Sequence, residues 1–401
     1  MKKRITMLAA ACIVALSGVA ETETVDGIEG HNNSTTALWP SGVEGAASAA
    51  SSSVYEGFLY DGDGLVVGRV TVKVAKPNQT THFASVKATV IGLNGRSKGF
   101  SAAGRGKAAI SADGLTEVVF KCDKVFVVKL GAKGMSGRYG DYDIDGALNV
   151  FTVKDEEIKA AASAALDKWQ GAVNVAWQGE QGWNCLLVTI AAKGRAKGRA
   201  TLADGKKVNV NGQLIVGEEW CCVPMVCTKK GREFAFNVWL QGEAGISPSS
   251  AVSVISAEAK ARAIVPEVVG IGDAAVGRPG NLKDGAKFHM DAVMGDAKYA
   301  QYLPDGVPVE GGEKWTLPKA GRVVQLTSNR EVLKSSLGEN PSGLKLTYKA
   351  KDGSFKGSFK TYAFENSRLR PTTVKVAGVL VNGVGYGTAT GKDVRAPVTI
   401  E

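Results

Sequence analysis

The chain has 401 residues, 50 of them Gly and only 12 Pro, with 44% hydrophobic residues and a formal charge of +10. That length admits two or three domains, and abundant Gly without a G-X-Y period, set among short alternating apolar runs, excludes collagen and disorder and points to turn-dense β structure. The Lys and Arg are dispersed and form no recognised nucleic-acid module, so the charge permits attraction to anionic glycans, surfaces or nucleic acid without requiring any of them.

The N-terminus reads as an export signal over residues 1–20. Met1-Lys2-Lys3-Arg4 is basic, residues 5–16 are apolar but too short to span a bilayer, and Ser17-Gly18-Val19-Ala20 places small residues before a cleavage point after Ala20. Loss of Lys2, Lys3 and Arg4 takes the formal charge from +10 to +7. The mature chain is then expected to be exported, periplasmic, cell-surface or extracellular, with no transmembrane span. Cys122, Cys185, Cys221, Cys222 and Cys227 remain in it. Export permits disulfides, and the odd count leaves at least one thiol unpaired in a monomer.

Residues 21–53, rich in Ser, Thr, Ala, Gly and Asn, read as a flexible leader. Residues 54–153 form a first β-unit. Its first hairpin pairs residues 55–60 with 65–75 across Asp61-Gly62-Asp63-Gly64, and a second pairs 85–93 with 96–102 across Asn94-Gly95. In the second, Ile91 and Leu93 fall on the face that should be polar, so either both faces are covered or the register differs. Strands follow at 117–120 and 125–130. A connector helix is expected over 154–168, with Asp155 as N-cap, Glu156 and Glu157 at the positive end of the dipole, and abundant Ala. Residues 169–245 form a second β-unit with a hairpin turning near Lys193-Gly194. Residues 246–280 read as a linker, and residues 281–401 as a third β-unit with an Asn382-Gly383 hairpin turn.

The most regular stretch is 344–360, LKLTYKAKDGSFKGSFK. A two-residue Asp352-Gly353 turn pairs Ala350 with Phe355, Tyr348 with Gly357 and Leu346 with Phe359 on an apolar face. Lys349 then faces Lys356, and Lys345 faces Lys360, on the other, a solvated surface or a site for an anionic partner. Glycines four apart recur at Gly95/Gly99, Gly194/Gly198 and Gly353/Gly357. This repetition reads as a rule for building sheets, which places any functional surface in the segments that do not repeat.

Chemistry-bearing motifs are few. The three His are far apart, and no G-x-S-x-G or HExxH is present. Gly104-Arg105-Gly106-Lys107 lacks the Ser/Thr of a phosphate loop and reads as a basic turn. Asp141, Asp143 and Asp145, followed by Gly146, match the start of a calcium loop, with Thr152 where the bidentate Glu should be. They are the candidate metal ligands, and calcium the one candidate cofactor. Cys221-Cys222 with Cys227 lacks a nearby His, so a core or disulfide role is expected rather than a metal. The five Trp of the second unit, Trp169, Trp177, Trp183, Trp220 and Trp239, suit a core, or sugar stacking where exposed.

The phrases AKGMSGRYG over 132–140, WQGAVNVAW over 169–177 and the 344–360 hairpin resemble those of exported bacterial Gly-rich β-repeat proteins. The resemblance covers roughly residues 54–401 and implies an exported β-rich chain; it brings no activity, cofactor or catalytic residue. The expected fold is all-β, with tandem antiparallel hairpin units forming small barrels or sandwiches and one connecting helix. The expected function is a non-catalytic binding or structural module of the cell envelope or extracellular space, with polysaccharide as a candidate partner. The alternatives are an exported hydrolase whose carboxylates, such as Asp204 and Glu233, meet across a sheet, and an outer-membrane barrel, against which modest strand lengths and the Glu401 end count.

Overall fold

Apolar and polar residues alternate along most strands, so one face of each is driven into a core and the other out. The computed structural model describes residues 52–92, 101–109, 116–241, 252–258, 267–290, 303–321 and 338–401, apart from one or two residues at a few turns within them. There the chain is all-β, with three curled antiparallel sheets in barrel or half-barrel shapes and one α-helix. The segment expected to direct export, 1–20, and almost all of the expected leader, 21–53, lie outside the described residues, as do His31, His82 and the Asn94-Gly95 turn.

The first sheet holds β1 (Ser53–Tyr60), β2 (Val66–Val74), β3 (Phe83–Gly92), β4 (Ser101–Ala109), β5 (Thr116–Val119), β6 (Phe126–Leu130), β7 (Gly134–Tyr139) and β8 (Tyr142–Leu148). β1 pairs with β8, and β4 comes alongside β5, so the strands run round a barrel in chain order. Tyr55, Leu59, Val72, Val86, Phe126 and Val128 fill its interior, while Lys73, Lys87, Lys129, Arg138 and Asp143 point out into solvent. Gly104–Lys107, expected as a basic turn, lies within β4. Ile91 opposes Ser101 and stays 45% exposed, so the outer face is open and it is the register of this hairpin that departs from expectation.

Helix α1 (Glu156–Trp169) follows the sequence closely. The Asp155 carboxylate accepts from the Glu157 and Ile158 N–H groups at 3.0 and 3.3 Å, satisfying two donors that a helix leaves unpaired. Ile158, Ala161, Ala162, Ala165 and Trp169 form one buried stripe, continuous with the interiors of the first two sheets. At the other end Arg278 donates to the carbonyls of Lys168 and Gln170 at 2.7 and 2.6 Å.

The second sheet holds β9 (Gly171–Gly179), β10 (Gly182–Ile190), β11 (Arg195–Thr201), β12 (Lys207–Gln213), β13 (Ile215–Val216), β14 (Cys221–Lys229), β15 (Arg232–Gln241), β16 (Val252–Glu258), β17 (Glu267–Gly272) and β18 (Ala274–Gly277). Its order is β17-β16-β15-β14-β12-β11-β10-β9-β18, with β13 on β14. Residues 246–280, expected as a linker, therefore carry three strands of this sheet. β16 and β17 extend the sheet from β15 in chain order, while β18 pairs with the distant β9, and the local Ser, Ala, Pro and Gly composition hides these strands.

The third sheet holds β19 (Lys287–Met290), β20 (Val307–Pro308), β21 (Lys345–Lys349), β22 (Ser354–Glu365), β23 (Arg368–Val381), β24 (Val384–Thr390) and β25 (Arg395–Ile400), in the order β20-β19-β25-β24-β23-β22-β21. Its own core includes Phe288, Phe359, Val374, Leu380, Val398 and Ile400. The Asn382-Gly383 turn is as expected: Val381 opposes Val384, and both turn residues have positive φ, +50° and +84°.

The 344–360 hairpin corrects its expected register. Tyr348 pairs with Phe355, Leu346 with Gly357 and Thr347 with Lys356, so the loop is four residues long, 350–353. The Gly353 N–H closes it on the Lys349 carbonyl at 2.8 Å, with Gly353 at φ +69°. A two-residue slip keeps the inward and outward sets intact. It also separates the like charges, since Lys349 now faces Ser354 and Lys345 faces Ser358. The Tyr348 ring, expected opposite Gly357, stacks on Trp315 at 4.7 Å and 4°.

Candidate functional site

The second and third sheets meet outer face to outer face. Ala176, Cys185, Val379 and Val381 form a small buried seam, with Trp183 against Tyr386 edge to face at 4.7 Å. The Thr388 hydroxyl donates to the Trp183 carbonyl at 2.9 Å. Asn174, fully buried, donates from one amide nitrogen to the carbonyls of Asp352 and Leu380 at 3.0 and 2.9 Å. The tip of the 344–360 hairpin is thus a docking point on the second sheet. A Cβ on Gly353 would lie 2.5 Å from the Asn174 amide and 2.7 Å from Pro279.

Beside the seam the two faces splay into a cleft of about 540 Å³. Trp183, Cys185, Leu187 and Val379 give it an apolar floor. One wall presents Arg199, Thr201 and Lys207, and the other Thr347, Lys349 and Lys356. None of its lining residues is a carboxylate. The volume and the mix of an apolar base with a few polar groups suit a ligand site. Most of the lining comes from β10–β11 and β21–β22, two of the hairpins expected from the sequence to be copies of one unit. Nothing local marked these outward positions; the Lys face of 344–360 was the only signal.

Asp352 and Asp204, beside the cleft, are each held by neighbouring residues, and two that hold Asp352, Lys349 and Ser354, themselves line it. Burial pushes Asp352 up, but the Ser354 hydroxyl at 2.6 Å and Lys349 at 3.0 Å outweigh it and hold the group below the ordinary carboxylate range. Burial likewise raises Asp204, and Lys206, which bonds it through both side chain and backbone, outweighs that and lowers it. Glu233 lies on β15, with β12 and β14 between that strand and β11, and its side chain is outside the described residues. The Cys185 thiol on the floor is pushed up to about 12 by burial, Cys221 likewise, and Cys222 well above its usual range, so none supplies a thiolate near neutrality. Cys122, Cys185, Cys221 and Cys222 are all free thiols; Cys221 and Cys222 are neighbours on β14 that enter different cores. The Cys227 side chain lies outside the described residues.

The candidate calcium ligands do not converge. Asp141 sits in the β7–β8 turn, and Asp143 and Asp145 follow on β8, opposite Arg138 and Ser136. Alternate strand residues are roughly 6–7 Å apart along an extended chain, too spread to wrap one ion. Gly146, the expected loop bend, is an in-sheet position where a Cβ would meet the Glu56 carbonyl at 2.6 Å. Among the described residues, no group of three His, Cys, Asp or Glu side chains is arranged to hold a metal. Of the five Trp, Trp169, Trp177 and Trp239 are core, while Trp183 and Trp220 are half-buried and each lines a cavity. The Trp220 cavity, about 320 Å³, has mixed charge, with Lys133 on Glu218 at 2.6 Å.

No protein-family model matches the sequence, and no curated protein matches it.

Proposed function

We propose that the chain is an exported, non-catalytic binding protein of the cell envelope or extracellular space, and that its inter-sheet cleft takes a polysaccharide. The observation that carries this reading is the cleft itself: an indole and aliphatic floor suited to sugar-ring faces, with hydroxyl and cationic walls suited to their substituents. A glycoside hydrolase would generally use two carboxyl groups about 5–10 Å apart, and the reducing-end assay below separates that reading from a non-catalytic one. The outer-membrane alternative fits poorly, because the first barrel has an apolar interior and Lys87 and Lys129 on its outside. A lipid-facing barrel has the reverse pattern, and each such cation would cost up to about 2–4 kcal/mol at the bilayer midplane. No helix among the described residues is long and apolar enough to cross a membrane.

The test uses the chain purified after export from an expression host. N-terminal sequencing is expected to begin at Glu21, and an intact Met1 end contradicts export. A screen against polysaccharides and envelope fractions is expected to give binding without new reducing ends. Absence of binding at high micromolar concentration overturns the glycan reading, and release of reducing ends overturns the non-catalytic one.

A further inference from the structure

We infer that the cleft is built for an acidic polysaccharide, a chain bearing regularly spaced carboxylate or sulfate groups; this rests on the glycan reading above and deepens it. The two walls are constructed alike. On one, Thr201 lies directly across from Lys207, and Arg199, opposite Asn209, stands one diagonal step away. On the other, Thr347 lies across from Lys356, and Lys349, opposite Ser354, stands one diagonal step away. Diagonal cross-strand neighbours are roughly 7–8 Å apart. Arg199 and Lys356 thus stand one on each wall beside a hydroxyl, over a floor that includes Trp183, while Lys349 is paired with Asp352 and Lys207 has a partner of its own.

The charge does not stop at the cleft. Arg195 and Lys197 continue it along the exposed face of β11. On the third sheet Lys345 and Lys375 flank Ser358 from either side. The outward positions of β21, β24 and β25, and those of β22 and β23 beside them at 354–360 and 373–381, carry no Asp or Glu. Asp352 and Asp204 stand near the cleft, each satisfied by its own neighbours, Lys349 and Ser354 for the first and Lys206 for the second. A small anion would need one cluster of cations. A basic strip running across two sheets and through a groove fits a chain, and a half-buried indole in its floor fits a sugar ring.

The test measures binding of the purified chain to polygalacturonate, dextran sulfate, neutral dextran and a single-stranded DNA oligonucleotide, at about 50 and 300 mM salt, where screening lengths differ more than twofold. Polygalacturonate or dextran sulfate is expected to bind at least tenfold more tightly than dextran and to weaken at least tenfold at the higher salt. The tighter of the two identifies carboxylate or sulfate as the recognised group. The double variant Arg199→Gln/Lys356→Gln is expected to lose at least tenfold in affinity with an unchanged melting temperature. The control Lys87→Gln/Lys129→Gln removes the same charge from the first barrel and is expected to leave affinity unchanged. Equal losses in both variants overturn the cleft as the site. Dextran bound as tightly as the acidic polymers overturns the acidic ligand while leaving the glycan reading standing, and no polysaccharide binding at all overturns both. DNA bound more tightly than either acidic polysaccharide also overturns the inference.

Discussion

The side-chain amide of Asn174 donates to the carbonyls of Asp352 and Leu380, joining a strand of the second sheet to a turn and a strand of the third across some two hundred positions of sequence. Asn174→Ala leaves those two carbonyls without their donor, and a loss of about 1–3 kcal/mol is expected in denaturant unfolding. Gly353→Ala combines a φ of +69° with a Cβ 2.5–2.8 Å from Asn174 and Pro279, so it is expected to destabilise by about 2 kcal/mol or more. Asp145 tests the metal motif. Burial pushes its carboxyl up, with the Gly146 backbone hydrogen bond opposing. The folded state therefore holds the proton more tightly than the unfolded one; its contribution to stability is present below the ordinary carboxylate range and is lost as pH rises through the raised folded pKa. Asp145→Asn is accordingly expected to melt higher than the native chain at pH 7, the gap closing as pH falls below about 4. Calcium is expected to move neither melting curve, whereas a native-only shift would restore the metal reading. Asp352 runs the other way: its lowered pKa gives stability present above the ordinary range and lost as acid protonates it.

At the scale of elements, the local signals were legible where one side chain or one dipeptide decides. The Asp155 cap and the Ala-rich stripe specify the helix, and Asn382-Gly383 specifies its own turn. Asp155→Ala is expected to cost about 1 kcal/mol, read as a lower unfolding midpoint at unchanged slope. The 344–360 hairpin marks the limit. Asp-Gly suits the end of a four-residue loop as well as a two-residue one, and a slip of two residues preserves every inward and outward assignment. Binary pattern therefore cannot separate the two registers; the docking of Asp352 and Gly353 on the second sheet does. The aspartate run at 141–145 carries a related ambiguity, since alternation along a strand such as β8 and alternation around a calcium loop give the same spacing on paper.

At the scale of the whole molecule, the all-β architecture follows from composition and alternation, and the cleft does not. Its walls are outward faces of strands about 150 residues apart in the chain, and an outward Lys in one hairpin carries no mark of the hairpin that will face it. The same holds for β18, Ala274–Gly277, whose partner is the distant β9. Two hairpins packed outer face to outer face make a concave, positively charged surface from parts that are individually plain. The most direct measurement of this account is amide hydrogen exchange on the chain with and without an excess of acidic oligosaccharide. Protection is expected in β10–β11 and β21–β22 and no change in β1–β8. Protection confined to the first barrel, or none at saturating ligand, would contradict it.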